Sequence, residues 1–274
     1  MPELPEVETV KKTLKSQIIG QKIKDVLVHH EKMIKDIPVA IFKKQLLGQH
    51  FIDIERRGKY LIFQLDDYFL LSHLRMEGKF FYNEDEFARP KHTHVEFLFE
   101  NGTTLKYEDV RKFGTFHLYE KNIDLKTTNS LAILGPEPWD KSFNVDAVAK
   151  QLHWKKMPIK SMLLSQKVVA GLGNIYVDEV LFASGIHPNR PSGELSREEM
   201  EKIIYHTRKI LEKAIEFKGT TIRSFTSNHG INGEFQQFLQ VHTKKDDPCP
   251  SCCDTILKIK VGGRGTYFCP VCQT

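Results

Sequence analysis

The chain has 274 residues, 40% of them hydrophobic and 27% charged, with a formal net charge of +5. That length supports a large core and favours two domains over one, and the basic excess leans toward a polyanionic partner without requiring one. The longest apolar runs, such as Tyr68–Leu71, are far too short to span a bilayer, and residues 3–9 hold three glutamates where a secretion signal would be apolar.

The chain opens Met1-Pro2-Glu3-Leu4-Pro5-Glu6. Methionine removal is expected because the next residue is small, and it would leave Pro2 as a terminal secondary amine beside a carboxylate. Such an amine attacks an aldehyde or masked aldehyde carbon and forms an iminium. With a reference pKa of about 7.7–8.0, an α-amine has a usable neutral fraction near pH 7. The positive end of a helix disfavours its protonated form, whereas Glu3 and Glu6 favour it. The competing reading is conformational: proline is common at the first position of a helix. Leu4, Val7, Val10, Leu14 and Ile18 recur at helical spacing until Gly20, so a helix starts here in either case.

From about residue 22 to 119 the period changes to two. Ile52/Ile54, Leu61/Phe63/Leu65, Val95/Phe97/Phe99, Leu105/Tyr107 and Phe116/Leu118 alternate as in half-buried strands. Asn101-Gly102 predicts a type I′ hairpin turn. The stretch reads as a β-sandwich or flattened barrel. Within it, Arg56-Arg57-Gly58-Lys59 predicts a tight turn presenting Lys59, either as a solvated basic turn or as a phosphate contact or proton donor beside Pro2. Two segments, His73-Leu74-Arg75-Met76-Glu77-Gly78 and Asp109-Val110-Arg111-Lys112-Phe113-Gly114, each join a large apolar residue to arginine. Met76 and Phe113 are core residues on one reading and wedges that enter a base stack on the other, with Arg111 pairing to the orphaned base.

Residues 121–141 lack periodicity, contain Gly135-Pro136-Glu137-Pro138 and read as a linker. Beyond them the pattern is helical. Gly171-Leu172-Gly173-Asn174 feeds a helix that stops at Gly185, an anion site or a plain helical corner. Ser196 opens a capping box with Glu199, followed by an apolar face from Met200 to Ala214. Residues 218–238 are rich in Gly, Thr, Ser and Asn and read as a loop. At the end, Cys249-x2-Cys252 and Cys269-x2-Cys272 are separated by 16 residues, the pattern of a four-thiolate zinc ribbon. Four of the five cysteines fall in these pairs, which suits zinc in a reducing compartment better than disulfides. Such a zinc is structural, and holds Gly262-Gly263-Arg264-Gly265 at the hairpin turn, where Arg264 can grip phosphate.

Together the segments PELPEVET, RRGKYL, SHLRMEG, DVRKFGT, LGPEP, VVAGLGNIYVDE, GIHP and GGRGTYFCPVCQ closely resemble the bacterial formamidopyrimidine-DNA glycosylase family, nearly end to end. The resemblance implies an α+β protein of two main domains. These would be a β-sandwich with an N-terminal helix over 1–134, and a helical part over 135–235 with a helix–two-turn–helix and a lesion loop. A zinc finger would follow over 236–274. It implies removal of oxidised purines, such as 8-oxoguanine and formamidopyrimidines, from double-stranded DNA. In that scheme Pro2 attacks the sugar and Glu3 donates a proton. Lys59 occupies the position tied to β-elimination and Arg264 the one tied to δ-elimination. His73, Met76, His92, Arg111, Phe113, Lys155 and Asn174 fall on DNA-contacting positions, and Cys249, Cys252, Cys269 and Cys272 hold one zinc. A cytoplasmic monomer that acts at the nucleoid is expected.

Two rival functions stay open on the residues alone. One is an endonuclease VIII-like enzyme for oxidised pyrimidines, the other a zinc protein that binds damage without cutting it. The chain also departs from the family's usual pattern. Lys218, Thr243, Asp246 and Cys253 stand where glycine is common, His242 where tyrosine is common, and Ser165 where aspartate is common. At Cys253 a positive φ is expected, which costs a non-glycine residue about 1–2 kcal/mol.

Overall fold

The computed structural model describes residues 1–83, 91–220 and 233–274. Two compact units emerge: Met1–Ala132 with Lys218–Glu234, and Ile133–Phe217 with Phe235–Thr274. Most of the expected lesion loop, residues 221–232, lies outside the described residues.

The first unit runs α1 (Leu4–Ile18), β1 (Ile23–Val28), β2 (Ile34–Lys35), α2 (Val39–Leu46), β3 (Asp53–Arg57), β4 (Tyr60–Gln64) and β5 (Tyr68–His73). It continues through β6 (Lys79–Asn83), β7 (Thr93–Phe99), β8 (Thr104–Glu108) and β9 (Thr115–Glu120). The strands form a four-stranded sheet, β1-β7-β8-β6, and a five-stranded sheet, β2-β9-β5-β4-β3. Every pairing is antiparallel except β2 with β9. The sheets face each other through aromatic rings, as a sandwich requires. Phe80 of β6 meets Phe63 of β4 at 5.6 Å, and Tyr107 of β8 meets Phe116 of β9 at 4.9 Å, both edge-on. The α1 face Leu4, Val7, Val10, Leu14 and Ile18 is buried, as its spacing predicts.

Three local expectations need correction. The β7–β8 hairpin exists, but its turn is not type I′. Gly102 N–H donates to Phe99 at 3.1 Å and Phe99 N–H to Thr103 at 2.9 Å. Only Gly102, not Asn101, takes a positive φ. That is a three-residue loop whose glycine sits left-handed, the bulged alternative to a two-residue turn. Ile52 does not share the buried face of Ile54: it lies before β3 and is exposed. Nor are β7 and β8 half-solvated, because Glu96 and Lys106, paired across the two strands, are both buried. Their charges offset one another in register, and Glu96 also meets His29 Nε2 at 2.6 Å.

The second unit holds α3 (Val145–Leu152), α4 (Ile159–Leu164), α5 (Asn174–Ser184), α6 (Arg197–Glu216) and the hairpin β10 (Leu257–Val261)–β11 (Arg264–Phe268). Both capping-box bonds of Ser196 and Glu199 are formed at the start of α6. Gly185 ends α5 at φ 71°, the left-handed cap that its position in the sequence predicts.

Candidate active site and zinc ribbon

Pro2 is not at the first position of α1. Glu3 is the N-cap, Leu4 begins the helix, and the proline of the first turn is Pro5. The conformational explanation for proline therefore applies to Pro5 and leaves Pro2 unexplained. Pro2 and Glu3 are both buried. The cap is reciprocal: the Glu3 side chain accepts from the Glu6 amide, and Glu6 Oε2 accepts from the Glu3 amide at 2.8 Å. The other oxygen, Glu6 Oε1, accepts from the Thr220 amide at 2.8 Å. One carboxylate thus fixes both the backbone leaving Pro2 and the entrance to the segment after Gly219. A side chain on Gly219 would strike Glu6, and φ there is 78°.

Lys59 sits in the two-residue turn between β3 and β4, where Arg57 pairs with Tyr60 and Gly58 supplies the positive φ of 55°. It is buried, not a solvated turn residue. Arg56 secures the turn to α1: its Nε donates to Glu8 at 2.9 Å and its Nη1 to the Gly58 carbonyl at 3.0 Å. So Arg56, read in sequence only as part of a basic run, is a strut. His73, at the end of β5, accepts the Arg75 amide at Nδ1 over 2.9 Å and packs edge-on against Tyr60 at 4.5 Å. Burial first, then the nearby Arg75 and Lys59 charges, lower its pKa to about 3. His73 is therefore neutral with its proton on Nε2.

The two candidate wedge segments are built alike. In each, a basic residue at positive φ precedes the apolar one: Arg75 at 54° before Met76, and Lys112 at 58° before Phe113. In each, a glycine follows, and both glycines lie against one group. A Cβ at Gly78 or at Gly114 would overlap the Tyr107 hydroxyl. Tyr107 thus gathers the two segments, and burial pushes its phenol far above the usual range. Phe113 is 52% exposed and Met76 half-buried, so neither is a core residue. The Arg111 guanidinium lies 4.9 Å from the Phe113 ring centre. Asp109 shapes the second segment: its carboxylate accepts from the amides of Arg111 at 3.0 Å and of Phe113 and Gly114 at 2.8 Å each. The Asp109 amide donates to the His92 carbonyl at 3.1 Å, which places His92 at the root of the same segment.

In the second unit, Cys249, Cys252, Cys269 and Cys272 bring their sulfurs within 4.8 Å of one another. Cys249 Sγ and Cys272 Sγ are 3.8 Å apart, Cys252 Sγ and Cys269 Sγ 3.4 Å. Four thiolates at Zn–S distances of about 2.3 Å lie roughly this far from each other, so the cluster fits one tetrahedral zinc with no open position. Cys253 stays outside it, exposed and at φ 64°. Lys218, Thr243 and Asp246 also have positive φ, at 58°, 69° and 70°. All four replacements of usual glycines thus occupy left-handed backbone, where only Cys253 was expected to.

The β10–β11 turn is Gly262-Gly263, both at positive φ, which leaves Arg264 exposed at the start of β11. A buried polar network fixes this hairpin to α5. Lys160 Nζ donates to Asp178 Oδ1 at 2.7 Å, to Thr266 Oγ1 at 2.9 Å and to the Gly265 carbonyl at 3.1 Å. His242 Nδ1 meets Asp178 Oδ2 at 2.8 Å. Glu179 accepts the amides of Gln240, Val241 and His242. Asn174, at the first turn of α5, gives one of its two amide hydrogens to the Gly265 carbonyl at 3.0 Å. Lys155 stands on a separate exposed turn after α3. Sequence reading missed Lys160, Asp178 and Glu179; the available signal was charge placed inside the apolar runs of α4 and α5.

Three family models match the chain. They are the formamidopyrimidine-DNA glycosylase N-terminal domain over residues 1–116, that family's H2TH domain over 134–226, and a zinc finger found in FPG and IleRS over 246–274. The chain is similar to the formamidopyrimidine-DNA glycosylase of Bacillus cereus, 46% identical over 274 residues covering 100% of this chain and 99% of the relative. It is 49% identical to that of Streptococcus pneumoniae over 273 residues, with the same coverage. Among solved structures, a Lactococcus lactis FPG variant in complex with DNA containing Fapy-dG matches with a TM-score of 0.93 at 41% identity, covering 100% of both chains. A structure of MutM with DNA containing carbocyclic 8-oxo-G is also similar, at 40% identity with a TM-score of 0.91. With all three parts matched in order, and relatives aligned along its whole length, the chain belongs to the formamidopyrimidine-DNA glycosylase family.

Proposed function

We propose that this glycosylase excises oxidised purines from duplex DNA and then cuts the strand, with Pro2 as nucleophile once Met1 is removed. The reading is carried by the N-terminal geometry: Pro2 stands buried before a reciprocal Glu3–Glu6 cap, outside the helix that would otherwise explain it. The nitrogen lone pair of Pro2 attacks C1′, the glycosidic bond breaks with its electron pair toward the base, and the proton lost from the Pro2 nitrogen passes to the departing base. Glu3 supplies a proton to the opening sugar ring, and C1′ becomes an iminium. Loss of a C2′ proton expels the 3′ phosphate, and a second elimination expels the 5′ phosphate. We assign the first elimination to Lys59, buried near His73 and secured to α1 through Arg56, and the second to Arg264 at the zinc hairpin turn. Water then frees the enzyme.

Met76, Arg111 and Phe113 enter the vacated stack, a role that suits their partial exposure and the rigid roots given by Tyr107 and Asp109. His73, His92, Lys155 and Asn174 contact the strands around the lesion, Asn174 from a helix N-terminus that suits phosphate. Zinc takes no part in bond breaking; Cys249, Cys252, Cys269 and Cys272 hold it to fold the hairpin that carries Arg264. The protein acts as a cytoplasmic monomer. Among the described residues no helix is long and apolar enough to cross a membrane.

A cleavage panel tests the substrate class. Duplexes containing 8-oxoguanine or a formamidopyrimidine are cut, while thymine glycol and undamaged duplex are cut at least tenfold more slowly. A preference for thymine glycol would favour the endonuclease VIII-like reading. Lesion binding with no nicking by protein of verified N-terminus would favour the pure binder.

A further inference from the structure

Trp154 is the most exposed large hydrophobic residue among those described, at 84%. Its backbone is left-handed, with φ 57°, a conformation unfavourable for a bulky side chain by about 1–2 kcal/mol. The turn that carries it is held from both sides. The Lys155 amide donates to Leu152 at 3.0 Å; the Lys155 carbonyl accepts the Gly193 amide at 2.8 Å, and the Met157 carbonyl accepts the Ser192 amide at 2.9 Å. A Cβ at Gly193 would press on the Lys155 backbone, so a glycine is needed for this approach. The indole is thus offered to solvent on a fixed support.

Two lysines stand next to it in sequence, and the turn packed beneath brings one exposed carboxylate, Glu194. His153, Lys155 and Lys156 flank it, all exposed. From residue 147 to 177 the chain has five lysines, Lys150, Lys155, Lys156, Lys160 and Lys167, and no aspartate or glutamate. Lys160 is consumed in the buried network, and the rest give a local field that attracts polyanions. An aromatic face set among lysines is the arrangement by which proteins bind single strands: the cations track phosphates and the ring stacks on a base. Inside a duplex the neighbouring pairs hide each base face, so the ring can stack only on an unpaired base or at a duplex end.

We propose that the His153–Met157 turn is an accessory site for an unpaired DNA base, with Trp154 as the stacking platform and Lys156 as its phosphate contact, next to Lys155, the strand contact assigned above. The inference rests on DNA being the partner, as proposed above. It adds a second contact that engages a strand end or a single-stranded stretch beside the duplex that the enzyme repairs.

The chain has two tryptophans, Trp139 and Trp154, so fluorescence can isolate the site. In zinc-loaded full-length Trp139→Phe protein, a lesion-free oligothymidylate should quench the remaining emission saturably. Trp154→Ala should bind that oligonucleotide about tenfold more weakly, Trp154→Tyr close to wild type. Circular dichroism and zinc content confirm that each variant is folded. Absence of quenching, or equal oligothymidylate affinity of wild type and Trp154→Ala, would overturn the proposal. So would quenching by anionic phospholipid vesicles with none by the oligonucleotide, which would make the turn a lipid contact. Cleavage of a blunt lesion duplex by wild type is the separating arm. Failure there counts against the proposed function; success there without oligothymidylate quenching counts against the accessory site alone.

Discussion

The two ends of the chain are held in opposite ways. At the N-terminus, one hydrogen bond within the first turn, Glu3 with Glu6, and one from the β3–β4 turn, Arg56 with Glu8, fix the backbone beside a large aromatic core. At the C-terminus the apolar cluster around the cysteines is small, formed by Val241, Cys249, Ile256 and Cys269. There the backbone carries unfavourable φ at Thr243, Asp246 and Cys253. A metal-held ribbon tolerates such strain because four thiolate bonds outweigh a few kcal/mol of backbone cost. Along the first 19 residues no such strain is present: the first positive φ in the chain is that of Gly20, and the first at a non-glycine residue is that of Asp36.

The largest effect is expected from removing the metal. Zinc chelation should weaken lesion-duplex binding by on the order of 100-fold or more, while the melting of the β-sandwich unit moves little, since structural zinc supplies apparent folding energies of about 10–16 kcal/mol in small zinc domains. Intact DNA affinity after verified zinc loss would show that the ribbon is held by something else.

Acid probes the other end. His73 titrates at about 3 in the folded protein, against an unperturbed value of about 6.5. Between these values the unfolded chain binds the extra proton, so stability should fall as pH drops from 6.5 toward 3 and stay level above 6.5 with respect to this group. The full effect amounts to a few kcal/mol. His73→Gln should flatten part of that slope in denaturant titrations; an unchanged slope would mean that other groups produce it.

Smaller again is the wedge segment. Asp109→Ala leaves three amides without their acceptor and should cost about 1–3 kcal/mol. Lesion-duplex affinity should fall about tenfold, with less change in affinity for undamaged DNA, as gel-shift titrations of the two duplexes would show. The smallest expected change has the opposite sign: Cys253→Gly should stabilise the ribbon by about 1 kcal/mol, because glycine accepts φ 64° freely. Chelator titration at fixed zinc reads this directly, and an easier loss of zinc from Cys253→Gly would mean that Cys253 has a compensating role.

Legibility in the sequence followed the range of the interactions. The α1 face, the Ser196 capping box, the Gly185 stop and the zinc spacing are local patterns, and each appears as read. The Asn101-Gly102 turn was placed correctly but mistyped, because turn type depends on where the strands stop pairing. Residues whose role depends on distant partners were the least legible. Glu96 with Lys106, Lys160 with Asp178, and Glu179 below Gln240–His242 resemble surface charges until the fold brings their partners near. Arg75, Lys112 and Trp154 give no sequence hint of their left-handed backbone. Of the proposed site, Pro2, Lys59 and the cysteines stood out by motif, whereas the supports, Arg56, Tyr107 and Asp109, emerged only from geometry.

The proposed chemistry depends most on the Pro2 nitrogen. Protein freed of Met1, and a matched sample that retains it, should each be reacted with 8-oxoguanine duplex and borohydride, then digested and mapped by mass spectrometry. A reduced sugar adduct on Pro2 is expected in the processed sample, with on the order of 100-fold less trapping when Met1 remains. An adduct on Lys59, or equal trapping by both samples, would contradict that chemistry.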